Sequence, residues 1–278
     1  MDRYLKAEFK RVFTKTGNLI SLLIIFAIVI GGNILINQGV SVNGPISPNS
    51  TPKGGIPSIA IMIGTSMALS AANWMVLFVG AFVMGDERKE RAYLRVVESG
   101  ISRSKIVISK FIVSFVVAII VLFVSMLLHF TIVYFLFGWN SYCTEIVKFF
   151  LLNIGLEIIP LISILSILLL IYFVVKNEFL VTILFILFGI KIHSLLRYIS
   201  MFSGRLKYII AGIASFSPSG VFSKISSNAF SIIGTGDGPF ILEKEFVNSL
   251  IPQLTINAIL ALVVIGITIV IMNRRNLD

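Results

Sequence analysis

The chain has 278 residues, of which 57% are hydrophobic and only 13% charged, against about 25% charged in an ordinary soluble domain. Its composition, with 23 Phe, excludes a soluble globular enzyme, a disordered chain and a disulfide scaffold, because a soluble fold of this size cannot bury so much apolar surface. It predicts an all-α polytopic membrane protein whose main solvent is the lipid bilayer. The net charge of +10 would suggest nucleic acid in a soluble protein. In so apolar a chain it fits basic flanks of membrane spans, and no nucleic-acid partner is expected. Cys143 is the single cysteine, so no intrachain disulfide can form.

The first element is an amphipathic helix over 2–16. Leu5, Phe9, Val12 and Phe13 share one face, while Arg3, Lys6, Lys10 and Arg11 lie beside or opposite it. That pattern predicts a helix lying in the membrane interface. The first apolar run, 19–36, is too long for a signal-peptide core and is expected to remain as a span. Further spans are predicted at about 56–84, 111–137, 149–175, 179–199 and 250–272, six in all. The fifth runs early into Lys191, His193 and Arg197, which must snorkel or line a polar cavity. The stretch 200–249 is read as an outer segment. Within it 205–216 fits a short amphipathic helix, Ser217-Pro218-Ser219-Gly220 a break, and 234–239 a turn. The stretches 38–55 and 138–144 read as outer loops.

Orientation follows from Lys and Arg in the flanking segments. Fifteen of the 23 lie before span one, between spans two and three, between spans four and five, and after span six. Both termini are therefore expected in the cytoplasm.

Between spans two and three lies a densely charged helix over 86–99, with Gly100 as its stop. Tyr93, Leu94 and Val97 share a face with Glu90, and Glu87 is spaced to pair with Arg91. Its apolar strip suits lipid or a groove in a soluble partner, and a solvated charged loop is the bland alternative. Inside span four, Asn153 and Glu157 stand one helical turn apart, just before Pro160. Counted from the inner end of that span, Glu157 falls near the outer interface, where it is either a solvated carboxylate or part of a substrate or ion pathway. Gly64, Ala68 and Ala72 form a small-residue stripe suited to close helix packing. No nucleotide-binding G-x-x-x-x-G-K-[ST] loop and no H-E-x-x-H occurs, so no catalytic, cofactor or metal residues are assigned. His129 and His193 fall in different spans and make a poor shared metal site.

The order of these features resembles the permease subunits of bacterial ABC transporters of the type-2 exporter class. The resemblance covers the whole chain as topology. Its residues are Glu90-Arg91-Ala92-Tyr93-Leu94-Arg95, then Ser99-Gly100-Ile101-Ser102-Arg103, then Ser109-Lys110. Ala92 stands where that family often has Gly, and Gly100 where Pro is common. The stretch 215–222 is similar to the family's outer Pro-containing segment. The resemblance implies a single permease domain over 1–278 in the bacterial plasma membrane, paired with a second permease subunit, identical or different. A separate cytoplasmic ATPase would bind ATP and Mg. The helix 86–99 would be the coupling helix, meeting that ATPase through Glu87, Glu90, Arg91, Tyr93, Leu94, Arg95 and Glu98. Export of antimicrobial peptides or other amphipathic substrates is the narrower implication. The competing readings are an ion- or proton-coupled transporter or channel using Glu157 and Lys191, an intramembrane enzyme using His129, His193 or Glu157, and a non-transporting sensor subunit.

Overall fold

The computed structural model describes residues 2–42, 55–84, 96–175, 177–235 and 243–274, and every regular element among them is helical. The first predicted helix is α1 (Asp2–Thr14), followed after Lys15 by α2 (Thr16–Val42). Val12 is buried, and Leu5 and Phe9 pack on the core, so much of the predicted apolar face of α1 turns to the protein, while Phe13 is exposed. The Asn18 side chain donates to the Val12 carbonyl at 2.9 Å, which satisfies one of the acceptors that a helix end leaves open.

The next helices are α3 (Gly55–Met84), α4 (Arg103–Phe137) and α5 (Ser141–Val174). The last long helix is α10 (Lys244–Arg274). Of these, α4, α5 and α10 are long and apolar enough to cross a membrane. The predicted spans 19–36, 56–84, 111–137 and 250–272 fall within α2, α3, α4 and α10, and 149–175 falls within α5 but for its C-cap Val175. Two helices start eight residues earlier than hydropathy suggested, because a helix continues through its charged interfacial turns while an apolar run does not. The turn between α4 and α5 therefore shrinks to 138–140. Asn140 closes it by accepting the Cys143 N–H at 2.9 Å, an ordinary N-cap.

The fifth predicted span is not one helix. It consists of α6 (Glu178–Phe185), a π-helical turn Ile186–Ile190, and α7 (Ile192–Phe202), with the two arms bent by 64° at Lys191. A 3₁₀ turn (Gly204–Leu206) then leads into α8 (Lys207–Phe216), the expected amphipathic helix. The Ser-Pro-Ser-Gly stretch breaks the chain only at Ser217. Pro218 opens the 18-residue helix α9 (Pro218–Thr235), since proline needs no N–H partner at a first helical position. The expected turn at 234–239 lies mostly outside the described residues, and Thr235 is still helical.

Most of the expected coupling helix, residues 85–95, also lies outside the described residues. Its end is visible as a helical turn at 96–98. Gly100, at φ 86°, donates to the Val97 carbonyl, and Ile101 donates to that of Val96. That pair of bonds is a Schellman stop, and it needs the left-handed residue that glycine supplies.

Helix α5 is the centre of the bundle, packed against α3, α9 and α10. Helices α3 and α4 meet closely where Gly64 faces His129. A Cβ at Gly64 would overlap the imidazole, and the ring is itself buried. Ala68 and Ala72, the rest of the small-residue stripe, are placed on α3 without described side chains. Gly64→Ala is expected to destabilise the protein by about 1–3 kcal/mol through overpacking. Adding His129→Ala should recover much of that loss. Thermal unfolding of the two variants in detergent would check both.

Candidate functional site: an ionic clamp and a buried carboxylate

An α-helix leaves its last four carbonyls without partners. At the end of α3 two of these carbonyls are taken by side chains from three other helices. Arg11 of α1 donates to Val83 O at 2.6 Å, Lys110 of α4 donates to the same oxygen at 3.3 Å, and the Tyr172 hydroxyl of α5 donates to Met84 O. Cations at a helix C-terminus also oppose its dipole. Glu8 of α1 ties the two cations together, at 2.6 Å from Lys110 and 2.9 Å from Arg11. Lys110 is 1% exposed and Glu8 nearly as buried. Burial by itself pushes the Glu8 carboxyl up. The facing Lys110 and Arg11 charges, with hydrogen bonds from Lys110 and Tyr4, outweigh it and hold Glu8 below its ordinary value of 4.5.

A second helix end at the same face is closed in the same way. Arg103, in the first turn of α4, donates to Met272 O at 3.0 Å and Asn273 O at 3.3 Å near the end of α10. Ser104 adds a contact to the Asn273 side chain. The segment 85–102 is thus bounded by one clamp at Val83–Met84 and another at Arg103. Among the predicted contact residues on it, Glu98 is exposed beside the Schellman turn. Glu87, Glu90, Arg91, Tyr93, Leu94 and Arg95 lie outside the described residues.

The structure corrects the placement of Glu157. It stands near the middle of the 34-residue α5 and is 4% exposed, not a solvated carboxylate at a helix end. The cause is the earlier start of α5, which adds two turns on its N-terminal side. Among the described residues no cation pairs with Glu157, and its Oε1 has no hydrogen-bond partner. It borders a cavity of about 20 Å³ beside Ala118, Leu122, Ile154, Leu161 and Phe222, room for a single water. Asn153 is fully buried one turn away on the same face. It donates to Phe149 O at 2.8 Å and leaves its own Oδ1 unpartnered. Pro160 lacks the N–H that would bond the Leu156 carbonyl, so α5 runs on here with one ladder bond missing.

His129 on α4 faces Gly64 of α3, and His193 at the start of α7 faces Ala214 and Gly220. His193 Nδ1 lies 3.0 Å from Ala214 O, and its backbone N–H donates to Ser219 Oγ. Among the described residues no group of three metal-ligating side chains forms. Sequence reasoning missed Glu8, whose signal was an acid on the apolar Leu5–Phe9–Val12 face. It also missed the capping roles of Arg103, Lys110 and Tyr172, which no local pattern reveals.

No family model, curated protein or solved structure matches the chain.

Removing one partner of a buried ion pair strands the other charge, which costs about 3–5 kcal/mol. Glu8→Gln should fall in that range in thermal or chemical unfolding, and the paired Glu8→Leu/Lys110→Met variant should lose much less. The linkage has a definite sign. With Glu8 held below its unfolded value of 4.5, its contribution is complete above that pH and is lost as pH falls through the folded value. In Glu8→Gln that acid-side loss should vanish.

Proposed function

We propose that the chain is the membrane-spanning permease subunit of an ATP-driven bacterial exporter, working beside a second permease subunit and a separate cytoplasmic ATPase that carries ATP and Mg. In this reading the chain crosses the plasma membrane six times, the fifth crossing being broken at Lys191, with both termini cytoplasmic. The observation that carries it is the pair of clamps around 85–102. The resemblance rests mainly on the stretch 87–110, and two of its residues, Arg103 and Lys110, close helix ends in the fold. A push on that segment would be delivered to α3 and α10 through short charged contacts, with little slack. The partner's phosphoryl chemistry would supply the energy, and this chain would convert it into a change of helix packing. Antimicrobial peptides or other amphipathic molecules are the substrates the resemblance implies.

Tyr93 and Leu94 are then the anchors of the segment in the ATPase groove, with Glu87, Glu90, Arg91, Arg95 and Glu98 around them. Replacing Tyr93 and Leu94 together by Ser should weaken ATPase association by about 2–4 kcal/mol. Membrane insertion should be unchanged, because the residues lie outside the hydrocarbon. Co-purification of the ATPase, with substrate-stimulated ATP turnover in the same sample, is the measurement. Unaltered association and stimulation would remove the coupling assignment.

The buried Glu157 favours a second reading, an ion- or proton-coupled transporter. An unpaired carboxylate in mid-membrane is costly and usually marks a pathway. Glu157→Gln should depress transport at normal membrane abundance under either reading if Glu157 and Asn153 line the route. Transport that persists without ATP hydrolysis and follows an imposed proton gradient would select the second reading.

A further inference from the structure

Neither arm of the broken fifth element is long enough to cross a bilayer core. At ~1.5 Å per residue, Phe179–Ile190 reaches ~18 Å and α7 ~16 Å, against ~30 Å of hydrocarbon. Instead α7 and α8 fold back on one another through the 3₁₀ turn and form a helical hairpin. The base of the hairpin is fixed. His193 bonds to Ala214 O and Ser219, and Asn257 of α10 donates to Phe216 O at 3.1 Å. A Cβ at Gly220 would strike both Ala214 O and His193, so this joint is closely packed. Asn257 lies near the middle of α10, which sets the base at mid-depth in the bundle.

From that base the 64° bend directs the hairpin sideways. Over ~16 Å of helix it gains only ~7 Å along the axis of α6 and moves ~15 Å outward. Its outer surface is apolar. Phe202 is 89% and Tyr208 83% exposed, and Tyr198, Ile199, Met201, Leu206, Ile209 and Ile213 are exposed beside them. So large an apolar surface is not stable in water. Beside it stand Arg197, Arg205 and Lys207, all exposed. No Asp or Glu occurs from 179 to 236, and among the described residues no ion pair engages these three.

We propose that the α7–α8 hairpin is a lateral arm embedded in the bilayer leaflet remote from α1, and that Arg205 and Lys207 bind the phosphates of anionic phospholipids. The tip lies below the headgroup level, ~7 Å above mid-depth in a half-bilayer of ~15 Å. Both side chains must therefore reach upward and draw phosphates down, as snorkelling cations do. Charge selects lipid over the other candidate occupants. A second copy joined about a two-fold axis would set the same cations against each other, and a cationic peptide would be repelled.

The test uses the full chain in nanodiscs of phosphatidylcholine with or without phosphatidylglycerol. A nitroxide at Phe202→Cys, in a Cys143→Ser background, should be accessible to oxygen and shielded from a water-soluble nickel relaxant in discs holding one copy. Access to the nickel reagent would overturn the arm. Protection from both reagents only in discs holding two copies would reassign the surface to self-association. Native mass spectrometry of retained lipid should show about a tenfold loss of phosphatidylglycerol affinity in Arg205→Gln/Lys207→Gln, with phosphatidylcholine unaffected. Arg205→Lys/Lys207→Arg should keep the wild-type preference, which separates charge from folding. An unchanged lipid preference in the Gln variant would overturn the phosphate site.

Discussion

The fold depends on how the C-terminal end of α3 is closed. Its last carbonyls are buried against other helices, where water cannot serve them, and an unmet acceptor there costs free energy on the order of a lost hydrogen bond. Arg11, Lys110 and Tyr172 meet that need from three different helices. Two cations so close together are stable only with an anion between them, and Glu8 is that anion. The group is no large source of net stability, since desolvation offsets most of the attraction. Its effect is positional. It sets α1, α3, α4 and α5 in one register, because any slip exposes a charge to hydrocarbon.

The middle of the bundle is built on the opposite principle. Ser114 and Ser125 on α4, Asn153 and Glu157 on α5, and Gln253 and Asn257 on α10 all hold side-chain oxygens without partners. Buried polar groups are normally satisfied. Such groups find partners when water enters or when the packing changes. The clamped face resists rearrangement, while the interior has a reason to rearrange.

Much of this was legible in the sequence. Composition fixed the all-helical class, and five of six apolar runs lie within long helices because hydropathy and helix length are set by the same bilayer. The amphipathic face of α1 was readable for the same reason. The break at Lys191 was half legible. The charge arrived too early for a full span, but the direction of the bend depends on His193 meeting Ala214 and Ser219, residues more than twenty positions away. Glu157 was misplaced because an apolar run underestimates a helix that continues through Lys148 and Glu145. The clamp itself was invisible. Lys110 reads as one more basic flank until α1 brings Glu8 beside it, 102 residues distant in the chain.

Helix α5 connects the two regimes. Tyr172 near its C-terminal end belongs to the clamp, and Glu157 and Pro160 lie at its middle. Ser163 donates to the Asn257 backbone at 2.5 Å, and Asn257 in turn holds Phe216 at the base of the lateral hairpin. Contact alone does not make such a route a coupling; it must also have two arrangements of similar energy. Pro160 supplies the mechanical half of that condition, because a helix without its i to i−4 bond bends there more readily than elsewhere. The unpaired Glu157 and Asn153 oxygens supply the energetic half, since the present arrangement leaves them unmet. A displacement at the clamp would therefore be expressed at Pro160, where α5 lacks that bond. Ser163 and Asn257 would pass it to Phe216, at the base of the α7–α8 hairpin.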